Sequence, residues 1–417
     1  MPQRTRPGGM RRLSIMLIAG EASGDLLAAE LVKALKQSSE IRAMPFPPDF
    51  FGAGGAAMAE AGVELAVNLT QHTVIGLTDA LKKYGQFKRI FDQLFKLATH
   101  LRPDVIICID FSGFNRRFAC AIRKQVRARR GTFLNWAPKI VQYVSPQVWA
   151  SRPGRAHQLE RDVDLLLSIF PFEKEWYARQ TPGLRVEFVG HPIVDRYASR
   201  PEQFRATEES APVLLLLPGS RESELKRHLP VMLAVAQSIQ SRGSVLLRMV
   251  LPTERLAELA KPQATNFPAL HVQVGNLAES LAAATMAIAS TGTVTMECAY
   301  FGVPTVAIYK AAWSDYLIAR QIVRVKHLAM PNLLAGEEIY PEFIQHQATP
   351  DNITRATLAL LNHPERRSAV QARLSQIIAS LGEPGASRRA AKAILSLLDQ
   401  ETVPIEARAS AAVPSVR

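Results

Sequence analysis

LLLLPGSRESELKRHLP, Leu214–Pro230, is the stretch on which the fold reading turns. Its leucines, preceded by Val213, make a strand with no polar position, as a parallel strand buried on both faces requires. Pro218 and Gly219 end the strand, and a helical pattern starts at Ser220, Arg221 and Glu222. Gly219 lets backbone N–H groups approach an anion, the helix dipole favours negative charge there, and Arg221 can fork two phosphate oxygens. The plainer alternative is an N-cap Ser220 beside a solvated Arg221, but Ser223 three residues on does not complete a capping box. Strand, glycine, cap and arginine coincide, which favours phosphate binding.

The same rhythm runs outward in both directions. VLLRMVLP, LHVQVG, MAIAST and PTVAIY follow, each separated by a helical pattern; SIMLIAG, DVIICID, KIVQYVS, VDLLLSIF and RVEFVG come before. Such alternation signals parallel sheets covered by helices on both faces. It restarts after the polar DRYASRPEQFRATEESAP, so an α/β chain of two doubly wound Rossmann-like halves, joined near residues 190–212, is predicted. Ligands of such sheets sit beyond the carboxyl ends of the strands.

Composition narrows the function classes. At 417 residues and 47% hydrophobic content the chain suits two or three domains. Cys108, Cys120 and Cys298 have no paired spacing, which argues against a disulfide framework or zinc site and for a reducing cytosol. A net charge of +13 favours an anionic partner (nucleic acid, acidic lipid or a phosphorylated substrate) or reflects ordinary solubility. MPQRTRPGGMRR before LSIMLIAG has the outline of a secretion signal, but no cleavage site closes it and Glu21 and Asp25 interrupt it, so a buried strand is expected. No apolar run approaches the roughly 20 residues of a spanning helix, which leaves only peripheral membrane contact.

Other strand-to-helix turns carry candidate chemistry. GEASGD, Gly20–Asp25, matches neither dinucleotide nor P-loop spacing, and Glu21 and Asp25 would repel a pyrophosphate; by pattern alone it is a structural turn. Thr291, Gly292 and Thr293 form a small polar turn, and Glu297 in the following helix can accept hydrogen bonds from ribose hydroxyls or complement the helix dipole. Asp110, ending DVIICID, is either a general base or an Asp satisfied by local N–H groups. His191 faces a cleft or serves as a hinge. Between Val74 and Arg102, Lys82, Lys83, Lys88, Arg89, Lys96 and Arg102 outweigh Asp79 and Asp92. Phe91, Leu94 and Phe95 read as core there, and Val74–Phe87 as the part suited to a membrane surface.

AGEASGD, VIGLTDAL, IDFSGFN, YVSPQVWA, FPFEKEWY, FVGHP, PGSRESE, STGTVTMECA and PNLLAGEEIYPE, in this order, resemble the lipid-A-disaccharide synthase family from about Leu13 to Leu398. The resemblance implies the GT-B glycosyltransferase fold, two Rossmann-like domains facing a central cleft. The implied boundaries are a basic extension 1–12, an acceptor and membrane-facing domain 13–192, a UDP-sugar domain 193–400 with the final helices, and a disordered tail 401–417. It also implies an inverting enzyme that joins UDP-diacylglucosamine to diacylglucosamine 1-phosphate, without metal or cofactor, on the cytoplasmic face of the inner membrane, often as a homodimer, with no nucleic acid partner.

Matched by motif, Asp110 is the implied base and Arg221 the implied stabiliser of departing UDP. Gly219, Ser220, Thr291, Gly292, Thr293, Glu297 and Asn332 fall on the donor side. Glu21, Ser23, Gly24, Asp25 and Asn115 fall on the acceptor side. Two departures stand out. Phe111, Ser112 and Gly113 replace a common Ala-Pro-Asp, and Glu337 replaces a common Arg near the implied nucleotide site. The alternative within the fold is a UDP-N-acetylglucosamine 2-epimerase, which needs no acyl-binding surface. A nucleic-acid-binding protein is disfavoured because the basic residues are scattered and no such module is legible.

Overall fold

The structure is a computed structural model that describes residues 12–70, 84–129, 131, 136–198, 211–265 and 267–399. The basic extension up to residue 11, the VIGLTDAL motif, most of the expected linker and the tail from 401 lie outside the described residues.

Thirteen described strands form two sheets. The first contains β1 (Ser14–Ala19), β2 (Asp49–Gly54), β3 (Glu64–Asn68), β4 (Val105–Ile109), β5 (Lys139–Tyr143), β6 (Leu165–Ser168) and β7 (Val186–Phe188), in the order β3-β2-β1-β4-β5-β6-β7. The second contains β8 (Val213–Leu217), β9 (Leu246–Leu251), β10 (Leu270–Val274), β11 (Met286–Ser290), β12 (Thr305–Tyr309) and β13 (Glu342–Ile344), in the order β10-β9-β8-β11-β12-β13. Every neighbouring pair is parallel. Strand order therefore reverses twice, between β1 and β4 and between β8 and β11, and each reversal opens a crevice at the carboxyl ends. Ala19 lies opposite Ile109 at the first reversal, and Leu217 opposite Ala289 at the second.

The leucine run of β8 is apolar on both faces because both are covered. Leu214 and Leu216 enter one core with Leu229, Met232 and Ile353, while Leu215 and Leu217 enter another with Cys298, Val303 and Tyr340. At about 25 cal/mol per Å² of apolar surface removed from water, such two-sided burial makes the central strands the strongest part of each sheet. Among the described residues, no helix is long and apolar enough to cross a membrane. Leu94 is fully buried, and Phe91 and Phe95 pack against the first core as expected. Phe87, at the end of the segment read as membrane-facing, also packs inward, with its ring centroid 6.1 Å from that of Phe111.

The chain divides into one compact unit of Met1–Pro192 with Pro384–Arg417 and another of Ile193–Glu383. Sequence order put the last helix, Ala386–Asp399, with the second half. It instead packs on the helix Ala22–Gln37 and on β5 and β6 of the first sheet. Its buried Ala390, Ala391, Ile394 and Leu395 supply the apolar face, Arg389 Nε donates to the Val189 carbonyl at 2.7 Å, and Arg185 donates to Ser396 Oγ at 3.0 Å.

Ile394→Ala, at a fully buried position, is expected to cost about 2–5 kcal/mol. Hydrogen exchange checks it: protection should fall in Ala22–Gln37 and stay unchanged in the second sheet.

Candidate active site

In the first unit, the turns after β1 and β4 lie side by side. Asp110 (φ 46°) and Phe111 (φ 43°) both have left-handed backbone, and Phe111 is the N-cap of the helix Ser112–Ala128. Such a conformation costs a non-glycine residue about 1–3 kcal/mol and persists only where the surroundings impose it. Here they do. Asp110 N–H donates to the Tyr143 carbonyl at 2.9 Å, and the Asp110 carbonyl accepts from Asn115 Nδ2 at 2.9 Å and Gln142 Nε2 at 3.4 Å. Gln142 also donates to the carbonyl of Val144, itself left-handed at φ 68°. A β-branched residue in that region is a genuine outlier.

Gly20 of GEASGD leaves room for this turn. A Cβ at Gly20 would come within 2.3 Å of the Phe111 ring, and one at Gly24 within 3.8 Å of Asp110 Cβ. Ser23 is exposed and Glu21, the N-cap of its helix, is half-buried. Asp25 is spoken for differently. Its carboxylate accepts from the N–H groups of Gly55 (2.7 Å), Ala57 (3.0 Å) and Met58 (3.2 Å), capping the helix Ala56–Glu60 from inside the fold. Asn115 is fully buried and spends its amide on the carbonyls of Ile18, Ile109 and Asp110. Both residues, expected on the acceptor side, brace the turns after β1 and β4 through these contacts.

Next to this turn lies a group that sequence reading passed over. Glu173 is buried, accepts from Trp149 Nε1 at 3.0 Å, and is pushed up to about 7 chiefly by burial, against the opposing pull of hydrogen bonds from Trp149 and Ser145. Ser145 donates to the Tyr177 hydroxyl at 3.0 Å. YVSPQVWA and FPFEKEWY thus meet in one polar cluster. His191 packs its ring 5.3 Å from that of Phe170.

In the second unit, the turns after β8 and β11 occupy the other reversal. The helix begins at Glu222 with Arg221 as N-cap, two residues later than Ser220, because Glu224 reaches back to the turn. Glu224 Oε2 accepts from Ser220 N–H at 3.0 Å and Oε1 from Arg221 Nη1 at 2.8 Å. Both donors assigned to a phosphate therefore converge on one carboxylate, so the turn holds an anion in this geometry. Gly219 has φ 123°, and a Cβ there would lie 2.4 Å from Glu224 Oε2. Gly292, at φ 150°, is the N-cap of the helix Thr293–Tyr300; Thr291 is half-buried, Gly292 and Thr293 exposed.

Glu297 accepts from the Tyr197 hydroxyl at 3.0 Å, and burial raises its pKa against the pull of Tyr197 and Arg196. Asn332 is fully buried with its amide engaged internally. Nδ2 donates to the Tyr340 carbonyl and Glu342, and Oδ1 accepts from Ile339 and Tyr340 N–H, so it fixes the PNLLAG loop. Glu337 pairs with Arg373 on the surface, Arg373 Nε donating at 2.8 Å.

His228 was also missed. Lys310 N–H donates to its Nε2 at 2.9 Å, so the ring hydrogen sits on Nδ1 and donates to the Pro218 carbonyl at 2.7 Å. Burial lowers its pKa and keeps the ring neutral, tying the PGSR turn to the end of β12. Its spacing from Leu225 and Met232 on one apolar helix face, like Gln142 inside an apolar strand, was the available signal.

A model of the family described as lipid-A-disaccharide synthetase matches residues 15–397. A lipid-A-disaccharide synthase of Syntrophus aciditrophicus is 37% identical over 397 residues, covering 92% of this chain and 97% of the relative. Among solved structures, a glycotransferase of kitacinnamycin aligns with TM-score 0.61 at 20% identity, covering 93% of this chain and 100% of that one. A putative UDP-N-acetylglucosamine 2-epimerase of Listeria monocytogenes aligns with TM-score 0.58 at 13% identity, covering 93% and 97%. Both structural likenesses establish the fold alone.

A carboxyl that ionises at 4.5 when unfolded and near 7 when folded loses the folded state stability as pH rises through that window. Glu173→Gln should therefore gain about 3 kcal/mol over the parent at pH 8 and little at pH 4, read from denaturant midpoints at the two pH values.

Proposed function

Since the chain belongs to the lipid-A-disaccharide synthase family and is a glycosyltransferase, we propose that it transfers diacylglucosamine from UDP-diacylglucosamine to the primary hydroxyl of diacylglucosamine 1-phosphate, forming the β-1',6-linked disaccharide and UDP. The observation that supports this reading is the left-handed Asp110 at the first strand-order reversal, whose main-chain carbonyl is held at the carboxyl end of its sheet by the Asn115 and Gln142 amides. The epimerase alternative has only the fold in common with the chain.

Asp110 takes the proton of the acceptor hydroxyl as its oxygen attacks the anomeric carbon from the face opposite UDP, inverting that centre. Negative charge then builds on the departing diphosphate. The Arg221 guanidinium and the N–H groups at the Gly219–Ser220 turn meet that charge, and Glu224 yields the arginine it holds. Thr291, Gly292 and Thr293 line the adjoining helix N-terminus, and Glu297 takes the ribose hydroxyls on the oxygen that Tyr197 leaves. A lipid donor and acceptor also call for work at the inner-membrane surface, which suits the excess of cations. A homodimer completes the proposal.

Purified protein should convert the two lipids to disaccharide and UDP in the presence of a chelator. Activity on unacylated UDP-N-acetylglucosamine, with none on the lipid pair, would sink the reading. Asp110→Asn should lower kcat by at least about a hundredfold while UDP affinity is kept. Unchanged turnover would remove Asp110 as the base.

A further inference from the structure

In the first unit, four guanidinium groups gather beyond the carboxyl ends of β4 and β5. Arg116 and Arg117 belong to the helix Ser112–Ala128 that leaves the Asp110 turn, and Arg152 and Arg155 to the short turns that follow β5. Arg116 donates to Gln158, one helical turn beyond Arg155. Arg116 and Arg155 are half-buried, whereas Arg117 and Arg152 are exposed. Burial lowers the Arg155 pKa, and the charges of Arg152, Arg116 and Arg117 lower it further, with no carboxylate acting in the other direction.

That pattern is unusual in this molecule. Elsewhere in the same unit Arg123 pairs with Asp164, Arg161 with Asp162, Arg185 with Glu187 and Arg12 with Asp49. Among the described residues, no carboxylate pairs with any of the four clustered arginines. Like charges held together and partly desolvated raise the energy of the fold unless an anion joins them. The planar guanidinium fork matches phosphate oxygens in pairs, which a point-charge lysine does not.

We propose that Arg116, Arg117, Arg152 and Arg155 form the subsite for the phosphate monoester of the sugar acceptor. The inference rests on the glycosyl transfer proposed above. Arg116 stands four residues past the first residue of its helix, about 6 Å along the axis from the turn that presents Asp110. A hexose that offers a hydroxyl to Asp110 thus carries the phosphate on its opposite end toward the arginines. A compact dianion suits guanidinium groups of which two, Arg116 and Arg155, are half-buried, whereas bilayer phosphodiesters call for a flat, wholly exposed basic surface.

Titration calorimetry with short-chain diacylglucosamine 1-phosphate, and with the same lipid bearing a free 1-hydroxyl, tests the proposal without turnover. The parent protein should bind the phosphorylated lipid at least about tenfold more tightly, as one lost charge-assisted contact implies. Arg116→Gln/Arg155→Gln should bind both lipids alike while keeping UDP affinity and melting temperature. Arg117→Gln/Arg152→Gln, at exposed positions, provides the same reading should the first variant not fold. The proposal is overturned if the parent does not distinguish the lipids or the variants keep its preference. Loss of binding to phosphatidylglycerol vesicles with that preference intact overturns it too, and assigns the cluster to the bilayer. Failure of the transfer reaction itself would show separately, as absence of disaccharide from the parent.

Discussion

The left-handed backbone of Asp110 and Phe111 is the constraint around which the first unit is arranged. It turns the chain sharply out of β4 and brings the Phe111 ring over β1, where only a glycine at position 20 leaves room. The strain of two such residues, about 1–3 kcal/mol each, is offset by amide contacts to the Asp110 carbonyl. Asn115 reaches three carbonyls at the ends of β1 and β4, and Gln142 bridges the Asp110 turn to the turn after β5. The same bridge carries order outward, through Val144 and Ser145, to the buried Glu173 and Trp149.

The second sheet repeats the strand order but meets a different chemical demand. The first reversal is built from strained, side-chain-bearing residues, with the Asp110 main chain held by Tyr143, Asn115 and Gln142. The second reversal turns instead on glycines, Gly219 and Gly292 at positive φ, with Glu224 accepting from the Ser220 N–H. Order comes from behind the turn, where neutral His228 joins the Pro218 carbonyl to Lys310 N–H. Protonation would give Nε2 a hydrogen pointing at that N–H. The bridge contributes stability above the ordinary histidine pKa and loses it as pH falls, the direction that its lowered pKa requires.

Strand positions were legible in the sequence because parallel central strands are apolar throughout, and the restart at Val213 announced a second sheet. The order of the strands was not, since no local pattern records which strand lies beside which. Placement of the last helix failed for a related reason: Ala386–Asp399 follows the second unit in sequence, but its apolar face completes the first. At the turns, sequence singled out Asp110, Arg221, Gly219 and Glu297 from residue type and position. It could not separate side chains facing a ligand from those facing inward. Asp25, Asn115 and Asn332 have the polarity of ligand contacts, yet the Asp25 carboxylate, the Asn115 Nδ2 and the Asn332 amide meet groups of the fold brought near by tertiary packing. Gln142, His228 and Glu173 carry the opposite signal, a polar residue within an apolar pattern, which marks a buried partner without naming it.

Net charge illustrates the same difference between a sum and its distribution. A total of +13 fits nucleic acid, membrane or phosphorylated substrate equally well, and a surface of paired ions contributes little to any of them. The exposed pair of Arg373 and Glu337 cancels locally. What discriminates is the uncompensated cation that burial has made costly. On that measure the arginines beside the Asp110 turn stand out in the first unit, where they gather beyond the carboxyl ends of β4 and β5.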